Sequence, residues 1–317
     1  MISDLKTAAE FVSHLQGATL DASGLSPSML HWLRNCPPRP SSLDPSTHFS
    51  IKLFMATLNS SQQTYEDVRA AILEQHPEDY ILSYYEVKKA IEELTGVTSI
   101  THDMCSDTCV AFTGPFSILE HCPLCRKPHY KEQQSSAKKS KMPNHVFRTI
   151  PLGPQIQALR SSPDAFEDML YSLNQTEKVW DRLQRNGNVM SFYDDFYSGI
   201  DYLNAVSEEK IKNGDTILLF SPDGAQLYEH KQSDCWIYIW VILNLSPDKC
   251  YKKTHVLPGA FISGPNKPKN IDSFLFPGQC YRSGIDVFTL YFARTLPSVC
   301  LAKGRAFSLG LCPSTDL

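Results

Sequence analysis

Apolar positions in the first hundred residues recur at helical spacing and are bracketed by capping signals. Val87, Ala90, Ile91 and Leu94 fall on one helix face, which Ser83-Tyr-Tyr-Glu86 opens as a capping box and Gly96 closes. Ser26-Pro27 predicts another start, with proline at the first helical position. Thr64-Tyr-Glu-Asp67 predicts a third, ahead of the apolar run Val68 to Leu73. Cys36-Pro-Pro-Arg-Pro40 and the serines after it read as a loop between helices. Helical patterning returns after residue 146, most clearly in 154–159 and from Ser162-Pro163-Asp164 to Leu173. At Asp215 the period changes. The runs 216–220, 236–243 and 255–262 predict a three-strand meander. Trp236, Tyr238 and Trp240 alternate with Ile237, Ile239 and Val241, so both faces of the middle strand are apolar. That predicts a central strand buried on both sides, with a base-stacking platform as the alternative.

The resulting fold class is α+β. A helical N-terminal region (1–100) precedes a cysteine-rich motif (101–130), a basic linker (131–145) and a helical segment (146–214). The strand-rich segment (215–278) and a divergent tail (279–317) follow.

Composition narrows the function classes. A chain of 317 residues can hold two or three domains with real cores. A net charge of −4 gives no global basic field, so any nucleic-acid binding must come from a local patch. Two groups of cations are candidates. Arg126, Lys127, Lys131, Lys138, Lys139, Lys141 and Arg148 lie beside the cysteine-rich motif, and Lys252, Lys253, Lys267 and Lys269 follow the strands. Either can contact phosphates, and a solvated linker explains the first as well. Met1-Ile-Ser-Asp-Leu-Lys has no basic stretch leading into an apolar core, which argues against a secretory signal. The strongest apolar run, Cys235 to Leu245, is shorter than the roughly 20 residues a membrane span needs. The expectation is an intracellular protein without a membrane partner, whose ten cysteines are thiols or metal ligands rather than disulfides.

Cys105-x3-Cys109 and Cys122-Pro-Leu-Cys125 form two close pairs of thiols, twelve residues apart. Such spacing lets four thiolates meet one tetrahedral Zn²⁺, as in a zinc ribbon or knuckle. His102, His121 and His129 are nearby substitutes for a cysteine ligand. Four unliganded thiols are the bland alternative. Asp223 sits where an apolar strand ends and Gly224 follows, beside a hairpin partner. Ribonuclease-H-like folds place their first metal ligand in this way, whereas Pro-Asp-Gly is also a turn signal. Asp194, Asp195 and Asp201 form an acidic cluster among aromatic residues; a solvated loop explains it more simply than a metal site.

Four motifs occur in order: Cys-x3-Cys with Phe-Thr-Gly-Pro and Cys-Pro-x-Cys; Ile150-Pro-Leu-Gly-Pro-Gln-Ile-Gln-Ala-Leu159; Ser221-Pro-Asp-Gly-Ala-Gln-Leu; and Ser263-Gly-Pro-Asn-Lys-Pro-Lys-Asn-Ile-Asp-Ser-Phe-Leu-Phe-Pro277. From about residue 100 to Gly278 the chain resembles the transposases of CACTA (En/Spm-like) DNA elements, in phrasing closest to fungal members. The resemblance implies a cut-and-paste DNA transposase, located in the nucleus, with a ribonuclease-H-like core. It implies DNA, in the form of transposon ends, as partner, and it is compatible with a homo-oligomer. In such enzymes carboxylates hold two Mg²⁺ ions for in-line phosphoryl displacement, and Asp223 maps onto the first of them. The family continues to a second Asp and a later acidic residue. Residues 279–317 do not align with it, and neither Asp286 nor Asp316 lies in a matching context. The expectation is a C-terminally truncated, catalytically incomplete member with an unfinished meander whose apolar strand edges are uncovered. An active metal-dependent nuclease with divergent acidic ligands, and a zinc-containing interaction module unrelated to transposition, are the competing readings.

Overall fold

Capping chemistry sets the helices of the N-terminal region. In the computed structural model, residues 2–19, 21, 27–35, 42–131, 141–226, 234–264, 266–280, 287–291 and 306–308 are described. Helices α1 (Ile2–Gly17), α2 (Pro27–Arg34), α3 (Pro45–Ala56), α4 (Gln62–Gln75) and α5 (Tyr84–Thr95) come first. The chain divides into two compact units. One comprises Met1–Leu25, Ser99–Gly153 and Leu159–Leu317, and the other Ser26–Thr98 with Pro154–Ala158. The region 1–100, read as one helical block, is thus split: α1 belongs with the larger unit.

Within the smaller unit, Ser83 and Glu86 form the expected capping box, and Gly96 ends α5 at φ +69°. The start of α4 lies earlier than Thr64. Ser61 is the cap, and its hydroxyl accepts the Thr64 N–H at 3.1 Å. Tyr65 is buried among the rings of Phe54 and Tyr84, and its hydroxyl donates to the Leu82 carbonyl at 2.8 Å. Buried Ser50 accepts the Leu82 N–H at 3.0 Å, so α3 and the segment before α5 are tied by satisfied polar groups. Cys36–Pro40 and Ser26 lie outside the described residues.

The larger unit is built on a sheet. Its strands are β1 (Ile100–Met104), β2 (His145–Thr149), β3 (Thr216–Gln226), β4 (Asp234–Ile242), β5 (Leu257–Ser263), β6 (Val287–Tyr291) and β7 (Ala306–Ser308). Between them in the chain run α6 (Leu152–Arg160), whose residues Pro154–Ala158 belong to the smaller unit, α7 (Pro163–Met169), α8 (Tyr171–Arg185), α9 (Ile200–Ser207), α10 (Pro247–Cys250) and α11 (Ile271–Cys280). The strand order is β1-β2-β5-β4-β3-β6-β7. The first five in that order pair antiparallel, whereas β6 runs parallel to β3 and β7 parallel to β6.

The expected meander β3–β4–β5 is therefore present, but its edges are not bare. The outer edge of β5 pairs with β2, and that of β3 with β6, a strand within the tail. Pairing at Thr216–Phe220 of β3 and at Ala260 and Phe261 of β5 satisfies part of the strand edges that the sequence reading left exposed. The segment 146–214 likewise opens on a strand, because residues 145–149 pair on both sides before the helices begin.

One sheet face is closed by α11. Phe274 packs edge-on to Phe147 with centroids 5.0 Å apart, and Phe220, Tyr238 and Trp240 form a contiguous ring cluster beside them. At one end the opposite face is covered by α8 and α9 through Val179, Tyr202, Leu203 and Ile217. Its other end is open: Ile237 and Ile239 are half-buried there, and on the α11 side Tyr238 and Trp240 are buried while Trp236 is half-buried, so β4 is not buried along its length on both sides as expected. That burial of Tyr238 and Trp240 favours the core role over base stacking.

A candidate metal centre and the carboxylate of the central strand

Two tight turns bring the four cysteines together. In the first, Thr108 takes φ +57° between Cys105 and Cys109; in the second, Arg126 takes φ +65° directly after Cys125. The Arg126 N–H donates to the Cys122 carbonyl at 2.9 Å, and Cys122 N–H to the Lys127 carbonyl at 2.9 Å. Lys127 pairs with Asp107 at 2.7 Å and links one turn to the other. The sulfurs of Cys105, Cys109, Cys122 and Cys125 all lie within 4.8 Å of one another. Four thiolates around one tetrahedral zinc would be spaced by about 3.8 Å, so the set can close on a metal ion such as zinc with small adjustments. Cys105, Cys109 and Cys122 are buried with Val110 and Phe112 and form a small core of their own.

Burial in their shared core is the largest influence on the ionisation of Cys105, Cys109 and Cys125. Burial raises Cys105, and burial with a bond to Cys125 pushes Cys109 up to about 11. For Cys125 burial acts upward, but the Lys127 N–H and the neighbouring thiols outweigh it and hold Cys125 below its ordinary value. A dication is what would allow all four to ionise in so confined a space.

None of the three histidines joins the cluster. His102 contacts the Thr149 hydroxyl at 2.8 Å beside the Phe147 ring, and burial pushes its pKa down to about 4. His129 is stacked between Phe112 and Tyr130, and its ring nitrogens face the Leu119 carbonyl and the Asp103 carboxylate, each at 2.9 Å. His121 lies exposed.

The cluster is anchored by the segment before and within α11, a role that sequence reading missed. Lys269 and Asn270 N–H groups donate to the Cys109 carbonyl at 3.2 and 3.0 Å. Ala111 N–H donates to the Ser273 hydroxyl at 2.9 Å, and the Thr113 hydroxyl donates to the Ser273 carbonyl. Asn270 also accepts the Ser273 N–H at 2.9 Å, capping α11. The signal that could have revealed this is Asn270 placed three residues before a serine, at the head of an apolar run. The same contacts bring Lys267 and Lys269 of the second cationic group to the turn holding Lys127 of the first. Arg126, Lys127, Lys267 and Lys269 are exposed there, whereas Lys138 and Lys139 lie outside the described residues.

Asp223 lies on β3 but not at its end, since the strand continues to Gln226 with Asp223 opposite Ile237. The turn reading of Pro-Asp-Gly therefore fails: this tripeptide is paired strand, with the Trp236 ring resting against Gly224. Asp223 is exposed, and its Oδ1 accepts the Gly224 N–H at 2.8 Å. The four cysteines are the one set of three or more metal-ligating side chains that converge among the described residues, so Asp223 belongs to no such set there. The described residues thus offer no ligand set for a pair of Mg²⁺ ions at Asp223. Asp286 and Asp316 are outside the described residues. In the acidic cluster, Asp194 pairs with Arg182 and accepts from Ser198 at 2.6 Å, and Asp195 caps the turn at Phe196, which are structural roles. Among the described residues, no helix is long and apolar enough to cross a membrane.

No protein-family model matches the chain, and no curated protein matches it.

Proposed function

We propose that this chain is a transposase-derived protein of the CACTA kind that binds nucleic acid, with a zinc-stabilised knuckle docked on a ribonuclease-H-like sheet, and that it does not cleave DNA. The observation that carries this reading is the topology. Three antiparallel strands, a helix, and then two strands added parallel at the edge of the first give the order β5-β4-β3-β6-β7. That is the strand order of a ribonuclease-H-like core, and Asp223 stands on its first strand as the resemblance requires. The four thiols support a structural zinc, which would contribute folding free energy on the order of 10 kcal/mol. Exposed cations at the same place support phosphate contacts through counterion release, and the nuclear location proposed with this reading rests on the transposase resemblance alone.

The expectation of catalytic silence rests on the described residues, among which no set of three or more ligands includes Asp223, whereas in-line displacement on two metals needs several converging ligands. Purified full chain incubated with supercoiled plasmid and Mg²⁺ or Mn²⁺ is expected to leave it intact, with Asp223→Ala indistinguishable from the parent. Nicking that disappears in Asp223→Ala would overturn this and establish the divergent nuclease instead.

A further inference from the structure

The open end of the sheet carries a row of residues in direct register across five strands: Thr101, Arg148, Phe261, Ile237 and Asp223. Residues directly opposite one another on paired strands project to the same face. Arg148, Phe261 and Asp223 are exposed and Ile237 is half-buried, and Phe261 retains 41% of its surface, unusual for a phenylalanine in a sheet interior. The row is thus a cation, two apolar side chains and an anion, with the charges about 14 Å apart at three strand spacings. Among the described residues neither Arg148 nor Asp223 has an ion-pair partner, although other exposed charges such as Lys127 and Lys141 do.

This pattern is its own complement. A two-fold axis parallel to the strands, lying over the gap between β4 and β5, reverses the row. It sets Arg148 against Asp223 of a second copy and Phe261 against Ile237, twice over. At the open end face-to-face sheets can approach to about 10 Å, which an arginine and an aspartate reaching toward each other span; toward the end covered by α8 and α9 the two copies must splay apart. From this charge complementarity we infer that the open sheet face is a homodimer interface, with reciprocal Arg148–Asp223 pairs flanking a Phe261–Ile237 centre. The inference stands independently of the transposase reading. A patch four strands wide and a few side-chain layers long covers roughly 300 Å² per copy, well below the ~800 Å² per partner of a standard interface. The dimer is therefore a weak one, favoured by high protein concentration.

Sedimentation velocity of the metal-loaded full chain over a concentration series tests it. The parent is expected to shift from monomer to dimer, and more so at low salt. Arg148→Asp and Asp223→Arg each place like charges across the axis and are expected to weaken association ~100-fold or more. The double exchange, Arg148→Asp with Asp223→Arg, is expected to restore it. All three variants change exposed side chains, so unchanged circular dichroism and melting confirm that they fold. A parent that stays monomeric, a dimer indifferent to either single change, a folded double exchange that stays monomeric, or association seen only with added duplex DNA would overturn the inference.

Discussion

Replacing Cys122 and Cys125 by serine is expected to remove the bound metal and to unfold much more than the turn that holds them. Parent protein is expected to carry about one zinc per chain, and the double variant none. The reason for the wide effect is the construction of the cysteine segment. Its core consists of Cys105, Cys109, Val110, Phe112 and Cys122, too few apolar atoms to hold a fold without the metal. The same segment supplies Ala111 and Thr113 to Ser273, and the Cys109 carbonyl to residues 269 and 270. Gly114, at φ +52°, brings the next turn against Phe11 and Phe276, which joins α1 and α11 to the cluster. Loss of the metal therefore releases the start of α11 as well. Hydrogen exchange read by mass spectrometry is expected to show faster exchange in residues 105–125 and 269–276, with β3 and β4 affected less. A metal-free variant with parent exchange throughout would mean that the thiols are merely packed together.

Gly259→Ala is expected to cost about 3 kcal/mol, a large loss for adding one methyl group. A Cβ at this position would lie 2.0 Å from the Tyr238 ring and 2.7 Å from the Trp240 ring nitrogen. The cause is a bulge: Tyr238 pairs with Ala260 and Ile239 with Pro258, which leaves Gly259 as the extra residue on β5. Its carbonyl nevertheless accepts the Ile150 N–H at 2.9 Å, so the backbone has little room to retreat. The far end of Tyr238 meets Gly278 of α11, so this side chain is enclosed by two glycines. Urea denaturation gives the loss directly. The variant with both Gly259→Ala and Tyr238→Ala is expected to be less damaged than the sum of the two single changes, because the overlap exists only with the ring present. Strict additivity would place the bulge elsewhere.

Much of this architecture was legible in the chain because local chemistry and tertiary contacts agree. The capping box at Ser83, the strands of the meander and the two cysteine pairs each depend on residues close in sequence; the box and the pairs formed where expected, and the meander formed with β3 continuing past the predicted end to Gln226. Features that depend on distant partners were not legible. Residues 145–149 have no strong strand pattern and become a strand because β1 and β5 offer open edges. Strand β6 falls where the sequence matched nothing, because pairing to β3 is a backbone property and needs no motif. The run 255–262 reads as continuous strand, and the bulge at Gly259 is visible only once Tyr238 is in place. The histidines were plausible ligands by spacing alone, yet ring stacking and carbonyl partners take them away from the sulfurs.

The central claim is that a metal-anchored cationic surface binds nucleic acid through its phosphates. It is tested most directly by duplex DNA binding of the full chain over a salt series, beside a variant carrying Lys267→Gln and Lys269→Gln. Affinity is expected to fall linearly with salt on logarithmic axes, and the variant is expected to bind more weakly with a slope shallower by about two. Absence of binding at low salt, or a variant with the parent's affinity and slope, would contradict it.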